Sequence, residues 1–216
     1  FSGLARMKAD ENLVRQYQAQ LPDDGKLNVG LCWRSALKRY SRARNYCDIE
    51  EFAPLLQRND VRFVILQYDG CTPHESAWLE KEFPGKTISF EYLDMFRDLD
   101  GLAAAIAALD LVISPAVNIR QFSGCLGIPT SFLVSGASVE WRKAEQDDHD
   151  VIYPHTVHRR IEKSEDMITY LQQDIDNARK RKGADSVRLL PKNDHASSHS
   201  LTPLPARCTK GDCPCC

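Results

Sequence analysis

The chain has 216 residues, 43% of them hydrophobic and 27% charged, and its 28 basic residues are offset by 30 acidic ones for a formal net charge of −2. That balance fits one ordinary globular domain plus a tail, and it excludes a dedicated nucleic-acid binder, which needs a net basic face to track phosphates. The longest apolar run, 102–113, is broken by Asp110 and falls short of the roughly 18 residues a membrane helix needs. The opening at Phe1 lacks the basic-then-apolar pattern of a signal peptide, so the chain reads as a piece of a longer protein.

Taken in order, 13–21 carries apolar residues at near-helical spacing and ends in Pro22-Asp23-Asp24-Gly25, which marks a short linker helix over 1–25. The compact run Leu27 to Trp33 is a buried strand. Asp48 is placed to cap a helix over 49–57, with Glu50 and Glu51 in its first turn. Strands are expected at 62–67 and 86–90 around a helix at 74–83 whose Trp78 and Leu79 face inward. An alanine-rich helix over 101–109, a strand at 111–114, a helix over 119–126 stopped by Gly127 and a strand at 130–134 complete the alternation. A last helix, 162–182, turns basic at Arg179-Lys180-Arg181-Lys182, where cations suit the helix dipole. The reading is a doubly wound, mainly parallel Rossmann-like α/β sheet over 26–182, followed by a tail over 183–216 rich in Pro, Ser, His and Cys.

In such a sheet the ligand sits beyond the carboxyl ends of the strands. After the first strand come Trp33, Arg34, Ser35, Lys38, Arg39, Arg42, Arg44 and Asn45, donors suited to a diphosphate but also readable as a solvated basic loop. Gln67, Tyr68 and Asp69 follow the second strand, and Tyr92, Leu93 and Asp94 the third. Each set offers an aromatic or polar flank for a base or ribose. After the fourth strand, Pro115, Ala116, Val117 and Asn118 run into a helix whose open N–H groups favour an anion, and Gly124 permits that helix to pack closely. Trp141-Arg142-Lys143 reads equally as a cover for the cleft mouth or as a surface loop.

The runs Val29-Gly30-Leu31-Cys32-Trp33-Arg34-Ser35, Arg44-Asn45, Phe52-Ala53-Pro54-Leu55-Leu56, Phe63 to Tyr68, Asp98 to Ser114 and Ser123 to Thr130 carry a family resemblance. Together they resemble the C-terminal domain of bacterial TPR-containing glycosyltransferase-like proteins, which are similar to the heptosyltransferases. The resemblance spans roughly 5–175, in order. It implies one half of a two-domain GT-B enzyme that holds a nucleotide-diphosphate sugar without an obligatory metal, with an N-terminal domain, and TPR repeats upstream, as partners. By this resemblance Arg34, Ser35 and Arg44 would neutralise the diphosphate, Gln67 and Tyr68 would border the nucleoside, Leu93 the base, and Pro115 to Asn118 the phosphate or sugar. Where heptosyltransferase-like members carry an Asp-Thr pair and a His one turn later, this chain has Ala116, Val117 and Gln121. The acceptor's general base would come from the N-terminal domain, so this chain would bind a nucleotide but transfer nothing alone. The competing reading is a degenerate, non-catalytic GT-B module that binds a nucleotide or a protein partner.

Cys32, Cys47, Cys71 and Cys125 read as free thiols of a reducing compartment, which points to the cytoplasm. His149, His155 and His158 lack the thiols or regular spacing of a metal site and read as surface or packing residues. In the tail, His195, His199, Cys208, Cys213 and Cys215 supply ligands enough for one zinc ion, although adjacent Cys215 and Cys216 can hardly both ligate it. A flexible tail with reactive thiols and intermolecular disulfides are the other readings.

Overall fold

The computed structural model describes residues 7–36, 46–135, 142–144, 148–161 and 164–188. Six strands form one all-parallel sheet: β1 (Leu27–Leu31), β2 (Val61–Ile65), β3 (Thr87–Ile88), β4 (Leu111–Ser114), β5 (Thr130–Val134) and β6 (Thr156–Arg160), in the order β3-β2-β1-β4-β5-β6. The helices are α1 (Glu11–Ala19), α2 (Ala53–Leu56), which continues a 3-10 turn at Ile49–Phe52, α3 (Pro73–Glu82), α4 (Leu99–Ala107), α5 (Asn118–Leu126) and α6 (Ser164–Arg188). The order reverses at β1, which pairs with β2 on one side and β4 on the other, so the loops after β1 and β4 diverge and leave a crevice between them.

Both faces of the sheet are covered, which is why its central strands read as continuous apolar runs rather than alternating ones. On one face Leu27, Val29, Leu31 and Trp33 pack with α2 and with Met167, Leu171 and Ile175 of α6. On the other, Cys32, Val64 and Val112 meet α4, whose residues Gly101 to Ile106 are all buried, and α1 lies outside α4 with Tyr17 edge-on to Phe90, ring centroids 4.9 Å apart. Gly30 admits this layer: a Cβ there would lie 2.6 Å from Leu66 Cδ1 and 2.7 Å from Leu109 Cδ1. Cys32 and Cys47 are buried free thiols, and burial pushes the Cys32 thiol up to about 12.

Local chemistry sets the boundaries. Asp10 accepts from Asn12 N at 2.8 Å and Leu13 N at 3.1 Å, so α1 starts two residues before its first apolar position. Gly127, at φ 74, ends α5 in the left-handed conformation, and Ile128 N returns to Ser123 O at 2.9 Å. The strand at 86–90 shortens to the two residues of β3. Strand β6 is an addition to the sequence reading: its inward positions are Thr156 and His158, too polar to signal a strand, and it forms only because β5 offers a parallel edge from Thr130 to Val134.

Gly124 does permit close packing, with Tyr153 against it. An added Cβ would meet Tyr153 Cγ at 2.6 Å. Gly124→Ala is therefore expected to cost about 1–3 kcal/mol through overpacking, measured by urea unfolding, despite alanine's better helix propensity.

Candidate functional site

The loop after β1 is held by a buried polar network. Arg34 Nε and Nη2 each lie 2.7 Å from an oxygen of Glu75, Nη1 lies 2.5 Å from Asp69 Oδ2, and Nη2 also donates to Gly70 O at 3.2 Å. Trp33 Nε1 donates to Glu75 Oε1 at 2.8 Å and Thr72 N to Glu75 Oε2 at 2.6 Å, while Thr72 Oγ1 accepts from Glu75 N, closing the capping box of α3. Burial alone would raise the Glu75 carboxyl, but bonds from Arg34, Thr72 and Trp33 outweigh it and hold the group at about 2. Gln67 completes the network: its Oε1 faces Trp33 N at 3.3 Å and Arg34 N at 3.4 Å, and its Nε2 donates to Arg34 O at 2.9 Å and Asp69 Oδ1 at 2.6 Å.

This geometry revises the roles implied for several residues. The Arg34 guanidinium, its side chain 5% exposed, is directed at two carboxylates and not at the crevice. Trp33 and Gln67 are fully buried beneath the loop. Leu93 packs into the core with α4, and Pro115 is buried, its carbonyl accepting from Val117 N at 2.8 Å. For Arg34 and Gln67, burial fixes the loop because their polar atoms end on backbone or on a partner of opposite charge.

What the network presents to solvent is a cleft of about 310 Å³ at the carboxyl edge of the strands. Ser35 follows β1, Tyr68 follows β2, Met95, Phe96, Leu99 and Leu102 come from the connection into α4 and its first turns, and Ala116, Val117, Asn118 and Ile119 lead into α5. Ser35 Oγ and Tyr68 Oη are 2.6 Å apart and Ala36 N donates to Tyr68 Oη at 2.9 Å, while Phe96 stands edge-on to Tyr68 at 5.2 Å. Phe96 is 62% exposed, so the wall it forms is an open aromatic face. At the far side Val117 occupies the N-cap of α5 with no side-chain bond, and no acidic residue sits in the first turn. The helix thus turns its first N–H groups, those of Asn118 and Ile119, toward the cleft without a capping oxygen of its own.

Five of the sequence candidates, Ser35, Tyr68, Ala116, Val117 and Asn118, therefore meet in one cleft. Met95, Phe96, Leu99 and Glu75 were not anticipated. The Thr72-x-x-Glu75 spacing could have exposed Glu75, whereas the 95–99 segment carries no motif. Arg44, Asn45, Trp141 and the tail residues His195, His199, Cys208, Cys213, Cys215 and Cys216 lie outside the described residues. Arg142, expected at the cleft mouth or on the surface, is instead buried, with Nε 3.4 Å from Asp150 Oδ2. His158 is also buried, 3.5 Å from the same oxygen, and Arg120 approaches it at 3.3 Å, while burial, working against these bonds, fails to keep Asp150 from a lowered pKa. Among the described residues no group of His, Cys, Asp and Glu could hold a metal ion, and no helix is long and apolar enough to cross a membrane.

No family model matches the chain. Protein FlbA of Caulobacter vibrioides is 35% identical over 135 residues, which are 62% of this chain and 22% of that protein, so the chain spans less than a quarter of this curated relative. Among solved structures, E. coli ADP-heptose lps heptosyltransferase II superposes with a TM-score of 0.56 at 12% identity, covering 82% of this chain and 54% of that one. A glycosyltransferase of family 9 from Veillonella parvula matches at 0.46 and 14% identity, covering 87% and 47%. The fold is glycosyltransferase-like. It corresponds to a Rossmann-like half of the heptosyltransferase, so the cleft lies where doubly wound sheets bind ligands.

Proposed function

We propose that the domain binds a nucleotide-diphosphate sugar in the cleft and serves as the donor half of a glycosyltransferase completed by another domain of a longer, cytoplasmic protein. The observation that carries this reading is the uncapped N-terminus of α5 opening on a cleft with an aromatic wall. The aromatic wall of Phe96 and Tyr68 suits a nucleobase, which gains from stacking or edge contact. The N–H groups of Asn118 and Ile119 suit a phosphate oxygen, and the Ser35–Tyr68 hydroxyl pair suits a ribose or phosphate oxygen between them. Four cations, Lys38, Arg39, Arg42 and Arg44, follow Ser35 in the sequence. In this reading they, rather than Arg34 or a metal, balance the diphosphate.

A non-catalytic binding module is the second reading, and one observation favours it: no carboxylate or imidazole lines the cleft among the described residues. Transfer requires a base for the acceptor and stabilisation of the leaving diphosphate, and only groups for the second are present here. The donor reading requires a nucleotide and the binding module takes a nucleotide or a protein partner, so nucleotide binding is the first test. The E. coli heptosyltransferase is named for ADP-heptose, which places ADP and ADP-sugars first in a thermal-shift panel with UDP, GDP and their sugars. A ligand at about 100 times its Kd should stabilise the domain by about 2.7 kcal/mol, and Tyr68→Phe should weaken binding by about 0.5–1.5 kcal/mol. No shift with any nucleotide would rule out the donor reading and leave a module that binds a protein partner. Transfer activity in the longer protein separates the enzyme from the binding module.

A further inference from the structure

Two features of the sequence take no part in the cleft: the histidines at 149, 155 and 158, and the basic end of α6. Apart from the buried His158, they meet at the opposite edge of the sheet. A second cavity, of about 200 Å³, opens where β4, β5 and β6 begin, and its lining includes His149, His155, Arg181, Ser131 and Asp174.

Several of the charges there are already paired with one another. Asp174 is the carboxylate of the lining, and it is already engaged by Ser131 Oγ at 2.7 Å and by Arg159, whose Nε and Nη2 lie 2.8 and 2.5 Å from its two oxygens. Within the basic run of α6, Arg179 pairs with Asp60 at 3.0 Å and Lys182 with Asp110 at 2.8 Å. Arg181 makes no such pair among the described residues and turns to the cavity. His149 Nδ1 faces Pro154 O at 2.9 Å, which fixes the tilt of that ring. The remaining charged neighbour on the 148–155 segment, Asp148, is drawn to Lys143 at 3.0 Å and Arg159 at 3.9 Å. What faces the cavity is one guanidinium and two imidazoles against a carboxylate that is already neutralised. Such a set fits an anion. The volume is below the roughly 300 Å³ at which pockets for larger ligands begin, so a nucleotide is too large and a tetrahedral anion with at most a short appendage is the right size.

We propose that this cavity is a second binding site, for inorganic phosphate or a small phosphomonoester, held by Arg181 and His155 beside His149. The site is separate from the cleft, at the other end of the strands, and does not depend on the nucleotide reading.

The test is calorimetry on the intact chain with sulfate, a tetrahedral anion like phosphate. Binding is expected, and Arg181→Gln and His155→Gln should each weaken it about 5-fold or more. Both side chains are exposed, so the variants should keep the wild-type melting temperature and any nucleotide affinity of the cleft. Phosphate and phosphoserine are then compared at one pH. Tighter phosphoserine binding identifies a monoester ligand, and equal or weaker binding identifies the free ion. Absence of sulfate and phosphate binding, or binding indifferent to both substitutions, would each overturn the proposal.

Discussion

Glu75→Ala is expected to destabilise the domain by about 3–5 kcal/mol, because it strands the buried Arg34 guanidinium and the Trp33 indole N–H without their shared acceptor. Urea unfolding measures the loss. The same carboxylate gives stability a dependence on acid. Its folded pKa, about 2, lies below the ordinary value of 4.5, so its contribution is complete above about pH 4.5 and disappears as the pH falls toward 2. The shift corresponds to about 3 kcal/mol. Asp150 also has a lowered pKa, so the wild-type protein loses stability in acid from more than one site. The difference between wild type and Glu75→Gln isolates the Glu75 part: the two stability curves should approach each other below about pH 3. Parallel curves would show that the pair contributes no acid-sensitive stability. Since Arg34 belongs to this pair, Arg34→Ala should impair nucleotide binding through loss of the loop's structure, with a matching loss of stability. Weakened binding in a variant of wild-type stability would instead return Arg34 to direct contact.

The second large effect is expected at Val117. Its backbone, φ −127° and ψ 175°, already has the extended N-cap conformation, but valine has no oxygen to offer. Val117→Asp would supply one, with a capping gain of about 1 kcal/mol that offsets the weaker apolar packing of aspartate at this half-buried position. Stability should stay within about 1 kcal/mol of wild type. Nucleotide affinity should move far more: the new carboxylate takes the N–H groups of α5 and repels a diphosphate, so Kd should rise at least about 10-fold. Val117→Thr, a neutral cap, should fall between wild type and aspartate. Calorimetry on the three proteins decides the matter, and an undiminished affinity in Val117→Asp would place the anion away from α5.

Sequence and structure agree most closely where burial is two-sided. Strands β4 and β5 have the bounds read from their apolar runs, and Gly127 ends α5 as expected, since a left-handed stop leaves a chemical mark in the sequence. Strand β6 left no such mark because its inward positions hold Thr156 and His158, and a polar strand at the sheet's margin has neither an apolar run nor an apolar alternation. The site divides the same way. Ser35, Tyr68 and Ala116 to Asn118 were legible because topology brings the loops after successive parallel strands to one edge. The burial of Arg34 was not, because a basic residue beside other basic residues reads as surface until its acidic partners, more than thirty residues away at Asp69 and Glu75, are known to fold back onto it.

Strand β1 is the first strand made and sits at the centre of the sheet, yet the layer covering one of its faces includes Met167, Leu171 and Ile175, which are made after all six strands. A nascent chain emerging from the ribosome can pair β1 with β2 and then β4, but it holds Leu27, Val29 and Leu31 partly bare until α6 has been synthesised. Chain growth of about 5–20 residues per second sets the length of that exposure to several seconds or more. During this interval the half-built sheet presents an apolar face to any holdase chaperone within reach. A gene shortened to remove α6 would make that transient condition permanent, and its product should accumulate in inclusion bodies even though the cleft and every strand are encoded intact.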